Sequence, residues 1–251
     1  HRVDRRQRQM CIRDRSKTMS KKRITVLTGA GISAESGIKT FRDAGGLWEG
    51  HDVMEVASPQ GWNNNRSLVI DFYNQRRAQL LEVTPNLGHD ALVDLENKYE
   101  VHIITQNVDD LHERAGSSNI IHLHGELTKV RSLGNEKLVY DWRKDLIEGD
   151  LCEEGYQLRP HIVWFGEEVP MLEKAAGIVS LSDIVLVVGT SMQVYPAAGL
   201  VGIAPKFAPI IYVDPKPSLN YEMKMTKNLV VVAEVATKGV RKVVDELLAS
   251  N

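Results

Sequence analysis

The chain has 251 residues, 43% of them hydrophobic and 25% charged, with a formal net charge of −2, a composition suited to one large globular domain or a domain carrying an insertion. No run approaches the roughly 18 apolar residues of a membrane helix and no charged-then-apolar leader precedes a cleavage site, so a cytoplasmic protein without a membrane partner is expected. Two cysteines, Cys11 and Cys152, exclude a disulfide framework and fall short of the four ligands of a structural zinc site unless histidines help.

In chain order, residues 1–18 differ from the rest. They carry seven Lys/Arg against two acids, so 24 basic and 31 acidic residues, a net of −7, remain for 19–251. A basic arm can contact nucleic acid, but a flanking or mis-translated stretch with the real start at Met19 is the preferred reading. The acidic remainder argues against nonspecific nucleic-acid binding. Short β-branched runs at 23–28, 101–105, 120–123, 162–165, 184–188, 210–213 and 229–232 are read as strands. Helical patterns lie between them at 67–81, 171–181 and 238–248. Continuous apolar strands separated by helices imply a doubly wound α/β fold with a Rossmann-like parallel sheet covered on both faces. The core is expected at about 20–44, 99–125 and 160–251. Two segments interrupt the rhythm, a helical one at about 45–98 and a polar, irregular one at about 126–159, and are read as insertions forming a smaller helical and irregular domain.

Polar clusters fall at the exits of these strands, where such sheets bind ligands. Gly29-Ala30-Gly31, with Ala34, satisfies the glycine pattern that lets a backbone approach a pyrophosphate, although small residues there also serve merely to pack helix on sheet. Gly37 and Thr40-Phe41-Arg42-Asp43-Ala44-Gly45-Gly46 then break the helix instead of leading to a second strand and a ribose-binding acid, so a dinucleotide held simply for hydride transfer is disfavoured. Gln106-Asn107-Val108-Asp109-Asp110, His122-Leu123-His124-Gly125, Arg159 through Glu167, and Gly189-Thr190-Ser191 supply the other clusters, and alternation puts both histidines on one face of their strand. Any one of these residues is more often structural than functional; five clusters at strand exits are hard to assign to core satisfaction.

The ordered motifs GAGISAESGIKTFRD, GLW, TQNVDDLHERAG, HLHGEL, RPHIVWFGE and GTSMQVYPAAG resemble those of the sirtuin family of NAD-dependent protein-lysine deacylases, from about residue 23 to the C-terminus. The resemblance implies NAD as cofactor, acylated-lysine proteins as partners, and a Rossmann-like domain carrying a small helical and zinc-ribbon domain. The loop 40–46 would then fold over the nicotinamide riboside so that its glycosidic bond is broken. The acyl-lysine carbonyl oxygen attacks the anomeric carbon, nicotinamide leaves, and a ribose hydroxyl needs a general base, a task suited to histidine.

The family's motif picks His124 over His122 for that base. It gives Asn107 and Asp109 to the ribose and nicotinamide amide and Gln106 to the ribose, with Val108 beside them. Phe41 would shield the reacting carbon and Arg42 sit by the phosphates, with Gly29, Ala30, Gly31, Thr40, Trp48, Gly189, Thr190, Ser191, Asp214 and Pro215 completing the cofactor site. Val163, Trp164, Phe165 and Gly166 would pair with the peptide. Tyr73 and Arg76, at i and i+3 of a predicted helix, can point a phenol and a guanidinium at one spot, a carboxylate receptor. The family's class III members, which remove succinyl and malonyl groups, carry such a pair with a small residue that Ala57 resembles. Two departures stand out. The ribbon's two Cys-x-x-Cys pairs are missing, with only Cys152 and no histidine between Gly125 and Arg159, so zinc is not expected; Leu133, Leu138, Val139, Tyr140, Trp142 and Tyr156 are candidates to pack that segment without it. Asp214 stands where the family has Asn, keeping an acceptor for a ribose hydroxyl but losing an amide donor. An ADP-ribosyltransferase or NAD glycohydrolase, and a non-catalytic NAD-binding module, are the alternatives; the Tyr73–Arg76 pair and the VWFG strand disfavour the first, the histidine and polar motif the second.

Overall fold

A computed structural model of the protein describes residues 21–39 and 47–250. The leader 1–18 and the loop residues Thr40, Phe41 and Arg42 lie outside the described residues. The chain opens with β1 (Arg23–Thr28), the one-turn helix α1 (Ala30–Ser33) and a 3-10 turn, Ala34–Ser36, closed by Gly37 at φ +103°. After the hairpin β2 (Leu47–Trp48) and β3 (His51–Asp52) come four helices: α2 (Val53–Val56), α3 (Pro59–Asn64), α4 (Arg66–Glu82) and α5 (Leu87–Leu95). Next are β4 (Glu100–Thr105), α6 (Leu111–Ala115), β5 (Ile120–His122), β6 (Gly125–Ser132), β7 (Val139–Asp141) and β8 (Leu158–Ile162). The remainder is α7 (Leu172–Val179), β9 (Ile184–Val188), a 3-10 segment Ala197–Ile203, β10 (Ile210–Val213), α8 (Tyr221–Met225), β11 (Leu229–Val232) and α9 (Ala236–Ala249).

Six strands form a fully parallel sheet in the order β11-β10-β9-β1-β4-β5. Strand alternation sends Ile24 and Val26 to one face, beneath α5 and α9, and Leu27 to the other, beneath α7 and α8. Helices cover both faces of the central strands, which is why β9 and β10 read as unbroken apolar runs. Register ends the strands together: Thr28 lies opposite Thr105 and Val188, Thr105 opposite His122, and Val188 opposite Val213. The chain leaves β1 toward β4 and leaves β9 toward β10, so the crevice between the ends of β1 and β9 is the topological switch point, where such sheets take ligands.

Glycine has a specific use in that crevice. A Cβ on Gly31 would fall 2.5 Å from Gly189 Cα, and one on Gly29 2.6 Å from Thr190 Cβ, while Gly189 itself takes φ +63°. The two loops therefore touch backbone to backbone, tied by Gly29 N–H to Val188 O at 3.1 Å and Gly31 N–H to Gly189 O at 2.8 Å.

The second insertion departs from its predicted character. The first is helical as expected, with α3 begun by Ser58 accepting from Gly61 N–H and Pro59 at its first turn, and α5 by an Asn86–His89 capping box. The second, predicted irregular, contains the three-stranded antiparallel sheet β7-β6-β8. It buries Val130, Leu146, Cys152 and Leu158 against Val69, Phe72 and Tyr73 of α4. Leu138, Tyr140 and Trp142 pack against this cluster, whereas Leu133, Val139 and Tyr156 stay largely exposed. The predicted strand 162–165 also differs: Ile162 ends β8 in this second sheet, Val163 and Trp164 follow without regular structure, and Phe165 enters a turn, all outside the parallel sheet. Apolar content made that run look like a core strand; its partners are antiparallel. Among the described residues no helix is long and apolar enough to cross a membrane.

Candidate active site

A cavity of about 360 Å³ opens between the carboxyl edge of the parallel sheet and residues of the 47–80 and 162–169 segments. From the first loop Ala30 reaches it, from the turn after β4 Gln106, Asn107, Val108 and Asp109, after β5 His124, and after β9 Gly189, Thr190 and Ser191. Trp48, Ala57, Arg76 and Val163-Trp164-Phe165-Gly166 line it from the other side. Among the described residues, five predicted ones are not part of this wall. Gly29 and Gly31 lie just behind it. Asp214, buried, accepts the backbone N–H of Lys216 at 2.9 Å, with Pro215 following. Tyr73 has no exposed surface.

Polar groups near the β1 end form one chain. Asn107 Nδ2 donates to Gly29 O at 3.1 Å and to Ser33 Oγ at 3.2 Å, and Ser33 Oγ donates to Asp109 Oδ2 at 2.9 Å. Leu111 N–H reaches the other Asp109 oxygen at 3.1 Å. Burial pushes the Asp109 carboxyl up, against the pull of these two donors. Gln106 Nε2 donates to Thr190 Oγ1 at 3.1 Å, bridging the loops after β4 and β9.

The two histidines have opposite surroundings. His124 Nδ1 lies 3.1 Å from Gln106 O. A carbonyl only accepts, so Nδ1 carries the proton and Nε2 of the neutral ring is left as the base. Burial lowers its pKa, partly offset by that bond. His122 sits between Asn107 O at 3.0 Å and Glu113 Oε1 at 2.7 Å. Burial opposes its charge, but these two acceptors outweigh it and hold the pKa above the usual value. His122 is thus a strut under Asn107, with both ring nitrogens facing acceptors, and lies outside the cavity wall.

The segment 163–167 is fixed at both ends. Val163 N–H donates to His124 O and Phe165 N–H to Ala57 O, each at 2.9 Å. Gly166 turns at φ +91°. The Glu167 carboxylate then reaches back to accept Trp164 N–H at 2.8 Å, Arg159 Nη1 at 2.6 Å and Arg131 Nη2 at 3.3 Å. Burial raises the Glu167 pKa, and the two guanidiniums more than reverse that. The Arg159 guanidinium lies 3.3 Å from the centre of the Trp164 ring, and Trp164 Nε1 donates to Tyr73 Oη at 3.0 Å.

That last bond corrects the expectation that Tyr73 and Arg76 aim at one spot. The Tyr73 phenol is turned into the aromatic cluster with Trp164, and burial raises its pKa far above the usual value. Arg76 alone of the pair faces the cavity, its guanidinium 3.6 Å from Glu49 Oε2 and 5.2 Å from the centre of the Phe72 ring. Sequence reasoning gave no role to Ser33, Glu49, Glu167 or Tyr195, the last three of which also line the cavity. Ser33 and Glu167 stood inside the quoted motifs; Glu49 carried no signal beyond following GLW.

A family model described as the Sir2 family matches residues 29–196. The chain belongs to the Sir2 family. A relative named NAD-dependent protein deacylase, from Helicobacter pylori strain J99, is 57% identical over 227 residues, covering 90% of this chain and 96% of the relative. A Sir2 homologue solved with NAD is 36% identical with a TM-score of 0.80, over 91% of this chain and 90% of that one. A Sir2 protein solved with an acetylated peptide is 29% identical with a TM-score of 0.75, over 92% and 95%. The site suits a dinucleotide in its own terms: glycines leave the switch point open to backbone, and paired amide, hydroxyl and carboxylate groups suit ribose and carboxamide. The segment between Gly125 and Arg159 does not suit zinc. Cys152 is buried and donates to Ser132 Oγ at 3.2 Å, and among the described residues no group of three or more His, Cys, Asp or Glu could hold a metal.

Proposed function

We propose that this chain is an NAD-dependent protein-lysine deacylase, acting on acylated-lysine proteins and releasing nicotinamide and an O-acyl-ADP-ribose. The observation that carries this reading is the placement of a neutral His124, with Nε2 as its free base, in one cavity with the Asn107–Ser33–Asp109 chain and the 163–166 wall. NAD supplies a ribosyl carbon bearing nicotinamide as leaving group. Ala30, Gln106, Val108, Gly189, Thr190 and Ser191 hold the nucleotide, with Gly29 and Gly31 shaping the backbone they use. Asn107 and Asp109 orient the nicotinamide riboside, and Trp48 closes the far side. His124 Nε2 takes a proton from a ribose hydroxyl, and the Gln106 carbonyl on Nδ1 steadies the ring as it becomes charged. Val163, Trp164, Phe165 and Gly166 position the peptide beside that base. Thr40, Phe41, Arg42, Asp214 and Pro215 are assigned to the cofactor by their motifs.

We further propose that acidic acyl groups, succinyl and malonyl, are preferred. Arg76 supports this: it lines the same cavity as His124 and Ala57, and its Nε is buried without a hydrogen-bond partner. Tyr73 contributes by fixing Trp164. A net charge of −7 outside residues 1–18 favours protein over nucleic-acid partners, and a cytoplasmic location fits a lysine-modifying role. The test is incubation with NAD and matched acetyl-lysine and succinyl-lysine peptides, following peptide mass and free nicotinamide. His124→Ala is expected to stop deacylation and Arg76→Met to harm succinyl removal selectively. Nicotinamide release without deacylation would instead indicate a glycohydrolase or transferase.

A further inference from the structure

Glu49 has the geometry of a built-in competitor for the acyl group. It occupies the first central position of the two-residue turn joining β2 to β3, where Trp48 pairs with His51. Both central residues have positive φ, +49° at Glu49 and +86° at Gly50, as a type I′ hairpin requires. Asparagine, aspartate or glycine takes the first position with less strain than glutamate. A glutamate kept in such a backbone therefore suggests a use for its side chain. That side chain is only 12% exposed and lines the cavity, its carboxylate 3.6 Å from Arg76 Nη1 and 3.4 Å from Lys39 Nζ.

We propose that Glu49 is a specificity-determining residue that occupies the acyl-carboxylate position on Arg76 and must withdraw before an acidic acyl-lysine binds. The proposal rests on the reading of Arg76 as the acyl-carboxylate receptor. The contact is suited to displacement. At 3.6 Å it is an ion pair without a hydrogen bond, and the Arg76 Nε remains unpartnered. A substrate carboxylate that engages the guanidinium fork through two N–H groups outcompetes it. A neutral acetyl group needs no such exchange and leaves Glu49 in place, so that Arg76 stays neutralised beside an uncharged substrate. Lys39, 69% exposed, provides a second cation to which the released carboxylate can turn. Glu49 thus narrows the preference for acidic over neutral acyl groups that Arg76 alone would impose.

The experiment compares wild type, Glu49→Gln, Glu49→Asn and Arg76→Met. It measures kcat and KM on succinyl-lysine and acetyl-lysine peptides, and calorimetric binding of the same peptides without NAD. Removing the charge is expected to raise the succinyl-to-acetyl ratio of kcat/KM about tenfold, chiefly through KM, the change expected from one charge contact in a mostly buried site. The succinyl peptide should tighten in parallel in the calorimeter. Glu49→Asn suits the turn backbone and should show the same gain even if Glu49→Gln folds poorly. An unchanged ratio in both Glu49 variants, with Arg76→Met still selectively impairing the succinyl substrate, overturns the competitor role and leaves the acyl preference standing. An unchanged ratio in Arg76→Met overturns the acyl preference itself, and the competitor role with it.

Discussion

Acid should weaken this fold through a buried histidine pair that also braces the nucleotide loop. His89 and His112 are fully enclosed, with ring centres 5.0 Å apart. His89 Nδ1 accepts Asn86 N–H at 3.2 Å, and Asn86 Nδ2 in turn holds Ile32 O at 2.8 Å and Ser36 Oγ at 2.9 Å. Burial pushes His89 from 6.5 down to about 4 and holds His112 well below its usual value, with the charge of His89 adding to the effect. A histidine with a depressed folded pKa binds more protons when unfolded, so stability is retained above 6.5 and falls as pH drops from there toward the folded pKa. For His89 alone this amounts to about 2 kcal/mol between pH 7 and pH 5 and about 3 kcal/mol by pH 4. His122 acts in the opposite sense, since its raised pKa favours the fold at low pH. The assay therefore compares urea unfolding, read by tryptophan fluorescence at pH 7 and pH 5, between wild type and His89→Leu. The variant loses the Asn86 contact and starts less stable, but its loss between the two pH values should be smaller by about 2 kcal/mol, because His122 is common to both proteins. An equal loss in both would refute the assignment.

Three further outcomes follow from the site. Because burial lowers the His124 pKa and the neutral ring is the base, kcat/KM should fall on the acid side with a midpoint below 6.5; a midpoint above 7 would place the base elsewhere. Gly31→Ala brings a Cβ to 2.5 Å from Gly189 Cα, a backbone atom that cannot swing aside, so a loss of about 1–3 kcal/mol in urea unfolding and weaker NAD binding are expected; wild-type stability would show that the two loops can separate freely. Glu167→Gln leaves Arg159 and Arg131 short of a charge partner at the 163–167 turn. It should cost about 1.5–3 kcal/mol of stability and raise KM for the peptide more than KM for NAD; equal effects on both would make Glu167 a general support only.

The parallel sheet was legible because its strands obey one constraint. Covered on both faces, 184–188 and 210–213 are apolar throughout. The run 23–28 has an apolar centre broken by Thr25 between Arg23 and Thr28, and 229–232 is apolar although Val230 and Val231 stay exposed at the sheet edge; the structure places strands at all four of these bounds. The three-stranded sheet obeys several constraints at once. β6 reads Gly-Glu-Leu-Thr-Lys-Val-Arg-Ser, with Arg131 and Ser132 buried beside Leu127 and Val130. Its polar residues face inward to partners such as Glu167 and Cys152, so neither alternation nor apolar content marks it as a strand. The same inward polarity explains how the segment closes without ribbon cysteines: Cys152 donates to Ser132, Leu146 fills the core, and Asn74 of α4 accepts Leu146 N–H at 2.9 Å.

Direction along an element was easier to read than depth. Helical spacing correctly puts Tyr73 and Arg76 on neighbouring positions of α4, but it does not say how much of that face another domain covers. Trp48, Phe72, Trp164 and the ring of Tyr73 form one edge-to-face and tilted aromatic group. A phenol one turn nearer to that group is drawn into it, while the longer Arg76 side chain extends past Phe72 to the cavity. Strand alternation failed on the histidines for a similar reason. His122 still pairs with Thr105 in the sheet, whereas His124 lies beyond the last paired residue, where Leu123 N–H has just closed on Thr105 O at 2.9 Å. Past that point the backbone no longer follows the pleat, and the two rings part: one goes to Glu113 as a strut, the other to the cavity with a free Nε2. Their chemical division of labour is set by that single change of backbone course, which is long-range in origin and invisible in a pattern of alternate residues.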